Sequence, residues 1–150
     1  MREILFRGKA KAIAGCPYNN GKSDGEWVFG YIFPDLGAMK IRQFEPDRPE
    51  CNDYEIDPET VGQFTGLTDK NGVRIFEGDI CRFKRFNDIY IGKIVFNVKT
   101  ASFVMWYQSI VGAYGEKATH KMLLSVCDDI EVIGNIHDNP ELLKCGGDNG

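Results

Sequence analysis

Residues 80–108 read ICRFKRFNDIYIGKIVFNVKTASFVMWYQ, and this stretch decides the fold class. Three runs rich in β-branched and aromatic residues occupy 80–86, 89–96 and 102–108. Such residues favour strands, whereas the polar residues between the runs are typical of turns. The stretch therefore predicts three consecutive short strands joined by turns.

The same pattern continues on both sides of this stretch. Asp69-Lys70-Asn71-Gly72 is a strong turn signal, and residues 109–118 indicate a longer loop. About five or six short strands in roughly 75 residues favour a small barrel or sandwich over an open βαβ sheet. The further strand candidates in this part are 61–67, 73–76, 119–126 and 129–136.

The N-terminal part also indicates strands joined by tight turns. Asn20-Gly21 and Asp24-Gly25 tolerate the positive φ that hairpin turns need. Pro34-Asp35-Leu36-Gly37 predicts a type I turn, with proline at a position that suits its fixed φ. The strand candidates here are 2–14, 26–33 and 39–44.

Residues 45–53, EPDRPECND, have the composition of a linker, with two prolines and five charges. This composition divides the chain into an N-terminal β segment, residues 1–56, and a C-terminal barrel part, residues 57–143. Asp57-Pro58-Glu59-Thr60 predicts a short helical turn, with Asp57 as the N-cap. We expect a mainly β fold, a β-rich α+β arrangement with only short helical turns.

The C-terminal stretch EVIGNIHDNPELL, residues 131–143, predicts a last strand, a turn and one helical turn. Asn139 is placed as the helix cap and Pro140 as the first helical residue. Leu142 and Leu143 would then cover the open end of the barrel. Residues 144–150 are expected to form a disordered tail.

Composition limits the cellular compartment and the kinds of partner that we expect. The net charge of -4 argues against a generally basic nucleic-acid-binding domain, although a local patch is allowed. The five cysteines are widely spaced, without C-x-x-C, and favour a reducing compartment. The N-terminus lacks the apolar segment of a signal peptide, and no run reaches the ~18 apolar residues of a membrane helix. We expect a cytoplasmic protein without a membrane partner.

The sequence contains no recognisable catalytic constellation. Phosphate-binding glycine motifs and the G-x-S-x-G motif are absent. Glu77 and Asp79 could act as paired carboxylates, but turn residues before a strand explain them better, with Asp79 accepting backbone N–H bonds. His120 and His137 show no spacing typical of a metal site. We therefore predict no catalytic residues, no metal and no cofactor.

Two strands carry patterns that suit binding. Arg82, Lys84 and Phe86 would share one face of a strand, with Phe83 and Arg85 on the other. A half-buried strand with a solvated basic face explains this pattern, and a nucleic-acid-binding strand using Arg82, Lys84, Arg85 and Phe86 is the alternative. In the second strand the aromatic residues Trp27, Phe29, Tyr31 and Phe33 alternate, and form either core or an interface.

Three segments together resemble the YopX family of bacteriophage and prophage proteins. They are MREILFRGK at the N-terminus, DPETVGQFTGLTDKNGVRIFEGDICRF at 57–83 and DIEVIGNIHDNPELL at 129–143. The resemblance implies a β-rich fold with an SH3-like small barrel in the C-terminal part. It carries no assigned activity and no catalytic residue. It implies a phage-encoded protein in the cytoplasm of the host cell.

We therefore expect a non-enzymatic interaction module that binds a protein partner or self-associates. Nucleic-acid binding through the Arg82–Phe86 strand is the alternative hypothesis, and a metal-assisted enzyme using Glu77, Asp79 or a histidine is the third.

Overall fold

The computed structural model describes residues 2–12, 18–44, 51–111 and 113–145. Strands dominate these ranges, so the predicted mainly β fold is confirmed. The strands are β1 (Phe6–Ala10), β2 (Tyr18–Asn19), β3 (Lys22–Ser23), β4 (Trp27–Asp35), β5 (Ala38–Phe44), β6 (Cys51–Thr68), β7 (Arg74–Phe76), β8 (Asp79–Arg85), β9 (Asp88–Asn97), β10 (Ser102–Val111), β11 (Glu116–Leu123) and β12 (Asp128–Asn135). A 3-10 helix, Leu124–Val126, connects β11 to β12, and α1 spans Leu142–Cys145.

The chain divides into two compact units, Met1–Phe64 and Thr65–Gly150. The division between the units falls inside β6. The sequence predicted a boundary between residues 1–56 and residues 57–143, and this boundary stays a prediction. Most of the predicted linker, and the tail beyond residue 145, lie outside the described residues.

Unit 1 is built from a closed ring of four antiparallel strands. The order is β1-β4-β5-β6, and β1 also pairs with β6. Val28, Ile41 and Ile56 are completely or almost completely buried and form the core with Ala10 and Tyr54. A Cβ at Gly8 would lie 2.7 Å from the end of the Ile56 side chain, which would have to shift within this core.

The predicted type I turn at Pro34–Gly37 is wrong. Asp35 pairs directly with Ala38, so that only Leu36 and Gly37 connect β4 to β5. Their φ angles, 47° and 84°, are both positive, as a type I′ turn requires. This turn matches the right-handed twist of the two strands, whereas a type I turn would splay them.

The predicted helical turn at Asp57–Thr60 is also wrong, because this segment is a bulge within β6. The chain stays paired with β1 on both sides of it, through Lys9 to Asp57 and Arg7 to Gly62. The Asp57 carboxylate accepts from the backbone N–H of Glu59 at 3.0 Å. The Thr60 hydroxyl accepts from the N–H of Lys9 at 2.8 Å and donates to the Asp57 carbonyl at 2.6 Å. Side chains thus satisfy the backbone groups that the bulge removes from the ladder.

Unit 2 contains an antiparallel sheet in the order β11-β10-β9-β8-β12. Its core includes Phe83, Ile94 and Met105 on one face of the sheet, and the buried thiols of Cys81 and Cys127 pack there. The long loop predicted at 109–118 is wrong, because β10 continues to Val111 and β11 begins at Glu116. β11 is an edge strand of this sheet.

A hydrogen-bonded turn connects β12 to α1. The Asn135 side-chain oxygen accepts from the N–H groups of His137 and Asp138, at 3.0 and 2.9 Å. The Asn139 side chain points back and accepts from the N–H of Asn135 at 3.4 Å, instead of capping α1 as predicted. The Asn139 carbonyl accepts from Leu142, and α1 contacts β9. No helix in the described ranges is long and apolar enough to cross a membrane.

Candidate functional site

The Arg82–Phe86 strand shows the predicted alternation over most of its length. Phe83 is fully buried, and Arg82 and Lys84 are exposed on the other face. Phe86 leaves this face, because it lies in the β8–β9 turn with a φ of 50° and is 82% exposed. The guanidinium carbon of Arg85 lies 4.7 Å from the Phe86 ring centroid, and its Nη1 is 3.5 Å from the Tyr107 hydroxyl.

Carboxylates of β12 neutralise the basic face of β8. Arg82 forms a hydrogen-bonded ion pair with Glu131, which also lies 3.5 Å from the Lys70 ammonium. Lys84 pairs with Asp129 at 3.1 Å. The hydrogen bond from Arg82 lowers the pKa of Glu131 below its ordinary value. A phosphate approaching this surface would therefore compete with carboxylates that are already bound to both cations.

Glu77 and Asp79, near the start of β8, both interact with backbone groups. Asp79 is 1% exposed, and its Oδ2 accepts from the N–H of Phe76 at 2.7 Å, which confirms the turn interpretation. Burial raises the pKa of Glu77, and a hydrogen bond from the backbone of Phe96 opposes this shift. Within the described residues, no three His, Cys, Asp or Glu side chains converge as metal ligands would.

Asp69 is a buried anchor that the sequence indicated only as a turn residue. Its Oδ1 accepts from the N–H groups of Asn71 and Val73, at 2.8 and 2.9 Å, and its Oδ2 accepts from Val132 at 2.9 Å. Burial alone would raise the pKa of Asp69, but these three hydrogen bonds outweigh it and hold the pKa below the ordinary value. The carboxylate therefore ties the 69–73 turn to β12.

His120 and Cys127 lack the surroundings of an activated catalytic pair. His120 stacks on Tyr107 with ring centroids 4.9 Å apart, and its Nε2 lies 2.7 Å from the Ser109 hydroxyl. Among the described residues, no carboxylate accepts a hydrogen bond from His120 to orient its ring for catalysis. Burial raises the pKa of the Cys127 thiol to about 11, which keeps it protonated at neutral pH.

The aromatic residues of β4 lie on the face opposite the core. Val28 is fully buried, whereas Phe29 and Tyr31 are 42% and 55% exposed. The interpretation of these aromatic residues as core is therefore wrong for the two central positions. We call Trp27, Phe29, Tyr31 and Phe33 the β4 aromatic face.

Cations flank the β4 aromatic face on both sides. The guanidinium carbon of Arg7 on β1 lies 4.7 Å from the Trp27 ring, and that of Arg42 on β5 lies 5.1 Å from the Phe33 ring. Arg42 binds both carboxylate oxygens of Asp53, at 2.7 and 2.9 Å, and its hydrogen bonds lower the pKa of Asp53. Lys40 pairs with Asp35 at 2.7 Å. The β5 side of this face is therefore charge-balanced.

A second cross-strand surface lies on the outer face of the unit 2 sheet. Trp106 on β10 is directly paired with Lys93 on β9 and with Lys121 on β11. The Lys93 ammonium lies 4.7 Å from the Trp106 ring centroid. Lys117 shares the face, because it is an even number of residues from Lys121 along β11. We call these four residues the lysine–tryptophan face.

The sequence interpretation missed the lysine–tryptophan face, because its members come from three strands. The available signal was the spacing Lys117-Thr119-Lys121, which alternates with residues that face the core. Only the pairing register of β9, β10 and β11 shows that Trp106 lies between Lys93 and Lys121.

Comparisons with known proteins identify the family. The model of the family described as YopX protein matches residues 34–144, which is most of the chain. The chain is similar to protein EF1440 from Enterococcus faecalis, which is known from a crystal structure, with 24% sequence identity and a TM-score of 0.45. The match spans 95% of this chain and 99% of the EF1440 chain. No curated protein matches the chain. On the strength of the family match, the chain belongs to the YopX protein family.

Proposed function

We propose that this YopX protein is a non-enzymatic interaction module that binds a protein partner through the β4 aromatic face. The observation that carries the proposal is the exposure of Phe29 and Tyr31 at the centre of four alternating aromatic side chains. Large apolar side chains grouped on a surface mark protein contact sites. Aromatic residues and arginine are also the residue types most enriched at the centres of such sites.

The charges around this face favour a protein partner over a polyanion. Lys40 and Arg42 are already paired with Asp35 and Asp53 on the same sheet. The face therefore presents apolar rings with a balanced polar border, which resembles the core and rim of a protein interface.

We extend the proposal to the setting of the protein. The order β11-β10-β9-β8-β12, with the 3-10 helix before β12, supports an SH3-like barrel in unit 2. The YopX membership supports a phage-encoded protein in the host cytoplasm, and the free thiols of Cys51, Cys81 and Cys127 suit a reducing compartment. An SH3-like barrel by itself assigns no ligand.

Site-specific photocrosslinking tests this function. A benzophenone amino acid is placed at Tyr31 and, as a matched control, at Leu36, which is fully exposed at the tip of the same hairpin. We expect a discrete crosslinked product from position 31 and none from position 36. Phe29→Ser should abolish the product, because it removes the neighbouring ring.

The size of the product distinguishes self-association from a different partner. A product of twice the chain mass, formed with purified protein, indicates self-association. Equal crosslinking from positions 31 and 36, or no product from position 31 under conditions of phage expression, contradicts the proposal.

Nucleic-acid binding through Arg82, Lys84, Arg85 and Phe86 is the second candidate function. The exposed Phe86 ring with the Arg85 guanidinium against it is the observation that favours it. Arg82→Glu with Lys84→Glu should then weaken binding of single-stranded DNA. Unchanged affinity would contradict this surface.

A further inference from the structure

We propose that the lysine–tryptophan face binds single-stranded nucleic acid. Lys93 and Lys121 flank Trp106 on neighbouring strands, so each lies about 4.8 Å from it across the sheet. Lys117 lies about 13 Å farther along β11, at roughly 3.3 Å per residue. The inference uses none of the residues of the β4 aromatic face or of the Arg82–Phe86 strand. Arg82 and Lys84 share the outer face of this sheet, but they lie two strands away from Trp106.

The charge of this face is uncompensated. Across the described lengths of β9, β10 and β11, the positions that share the outer face with Trp106 hold lysines and neutral residues, and no carboxylate. The β8–β12 side of the same sheet differs, because Glu131 and Asp129 there bind Arg82 and Lys84. Positive charge is therefore concentrated locally, although the whole chain has a net charge of -4. A polyanion is the complementary ligand.

The partly exposed ring of Trp106 favours a nucleic acid over other polyanions as the ligand. It is partly exposed, and the Lys93 ammonium occupies a position 4.7 Å from its ring. A lysine side chain is flexible, so the ammonium can move to a phosphate while a base takes its place on the ring. Base stacking on an aromatic ring is stronger than a cation over a solvent-exposed ring, so this exchange is favourable.

The neighbouring polar groups suit a single strand. Gln108 and Thr119 are exposed on the same face, between Lys121 and Lys117, and can donate to phosphate or base oxygens. A base can stack on Trp106 only if it is unpaired, because a duplex buries both faces of each base. Binding should therefore tolerate sequence but require single-stranded DNA or RNA.

Fluorescence anisotropy with a labelled oligothymidylate of about 16 nucleotides tests the inference. We expect Lys93→Glu with Lys121→Glu to weaken binding at low salt by about tenfold or more. The slope of log K against log salt should fall in magnitude by about 1.4, at ~0.7 for each lost phosphate contact. Lys11→Glu with Lys99→Glu is the matched control, because it changes the charge equally at two exposed positions outside the face.

Quenching of tryptophan fluorescence distinguishes base stacking on Trp106 from a general effect of charge. Oligothymidylate should quench the fluorescence of the wild-type protein and of Trp27→Phe, but not that of Trp106→Phe. Thermal melts of each variant confirm that it is folded.

Three results would overturn the inference. The first is an absence of oligonucleotide binding at low salt. The second is equal weakening by the control pair, or weakening by Arg82→Glu with Lys84→Glu alone. The third is polyglutamate binding as tightly as the oligonucleotide without change in Trp106 emission, which would identify the occupant as an acidic protein.

Discussion

Leu36 occupies a backbone conformation that suits other residues better. Its φ is 47°, and its side chain is fully exposed at the tip of the β4–β5 hairpin. The left-handed conformation costs an ordinary L-residue roughly 1–2 kcal/mol, and asparagine pays less because its side chain hydrogen-bonds locally. The fully exposed side chain of Leu36 is not buried against any part of the described chain that could offset this strain.

Leu36→Asn should stabilise unit 1. Asn-Gly is the preferred pair for a type I′ turn, so the free energy of unfolding should rise by about 1 kcal/mol. Urea denaturation measures this change. Leu36→Val should lower stability, because a branched Cβ is worse at positive φ. Lower stability of Leu36→Asn would show that the leucine makes an unrecognised contact.

The carboxylate of Asp69 should make the stability of unit 2 depend on pH. Its pKa is lowered in the folded state, so its contribution is fully present above the unfolded pKa, about 3.9, and is lost as pH falls through the lower folded value. Asp69→Asn places an amide N–H group against backbone donors. It should cost about 1–3 kcal/mol at neutral pH.

Denaturation of wild type and Asp69→Asn across a pH series checks this prediction. The difference between them should shrink as the pH is lowered into the acid range. Glu116→Gln is the control, because this exposed side chain forms no hydrogen bond or ion pair in the described structure. A constant difference at all pH values would mean that the charge of Asp69 is unimportant.

At the scale of elements, the alternation of apolar residues predicted most strands within a few residues. It could not assign the faces of β4, since Val28 and Ile32 on one side are as apolar as the aromatic residues on the other. It also missed the bulge after Asp57, because Asp-Pro starts helices well and only the pairing with β1 keeps this segment extended.

The connection between β12 and α1 depends on close packing of Gly134. A Cβ at this position would lie 2.6 Å from the Asn139 side-chain oxygen. Gly134→Ala should therefore destabilise unit 2 by about 1–3 kcal/mol, measured by thermal or chemical denaturation. In an Asn139→Gly background the same substitution should cost much less, because the colliding atoms are gone. Equal costs in both backgrounds would show that Asn139 is not the obstacle.

At the scale of the whole molecule, the two cores have no residue in common. Ile41 belongs to the first core and Ile94 to the second. Ile41→Ala and Ile94→Ala should each cost about 2–5 kcal/mol in the affected unit. Hydrogen exchange should then accelerate only in the unit that carries the substitution. Acceleration in both units by either substitution would show that they unfold together.

Both proposed binding surfaces could be recognised only in the folded molecule. The sequence showed the four aromatic residues of β4 but not their exposure. The sequence drew attention to Arg82–Phe86, because its basic residues are close together. The acidic partners of Arg82 and Lys84, Glu131 and Asp129, lie more than forty residues away along the chain. Lys93, Trp106 and Lys121 are brought together by strand pairing alone.

Lys117 and Lys121 belong to β11, an edge strand whose outer backbone groups have no further strand beyond them in the described sheet. Such an edge can recruit another chain and begin a fibre, and lysines on an edge strand discourage this because like charges would be brought together. Replacing Lys117 and Lys121 with apolar residues should therefore make the protein more prone to aggregate, even if no ligand binds these lysines. Selection for staying dispersed in a crowded cell would preserve them independently of any ligand.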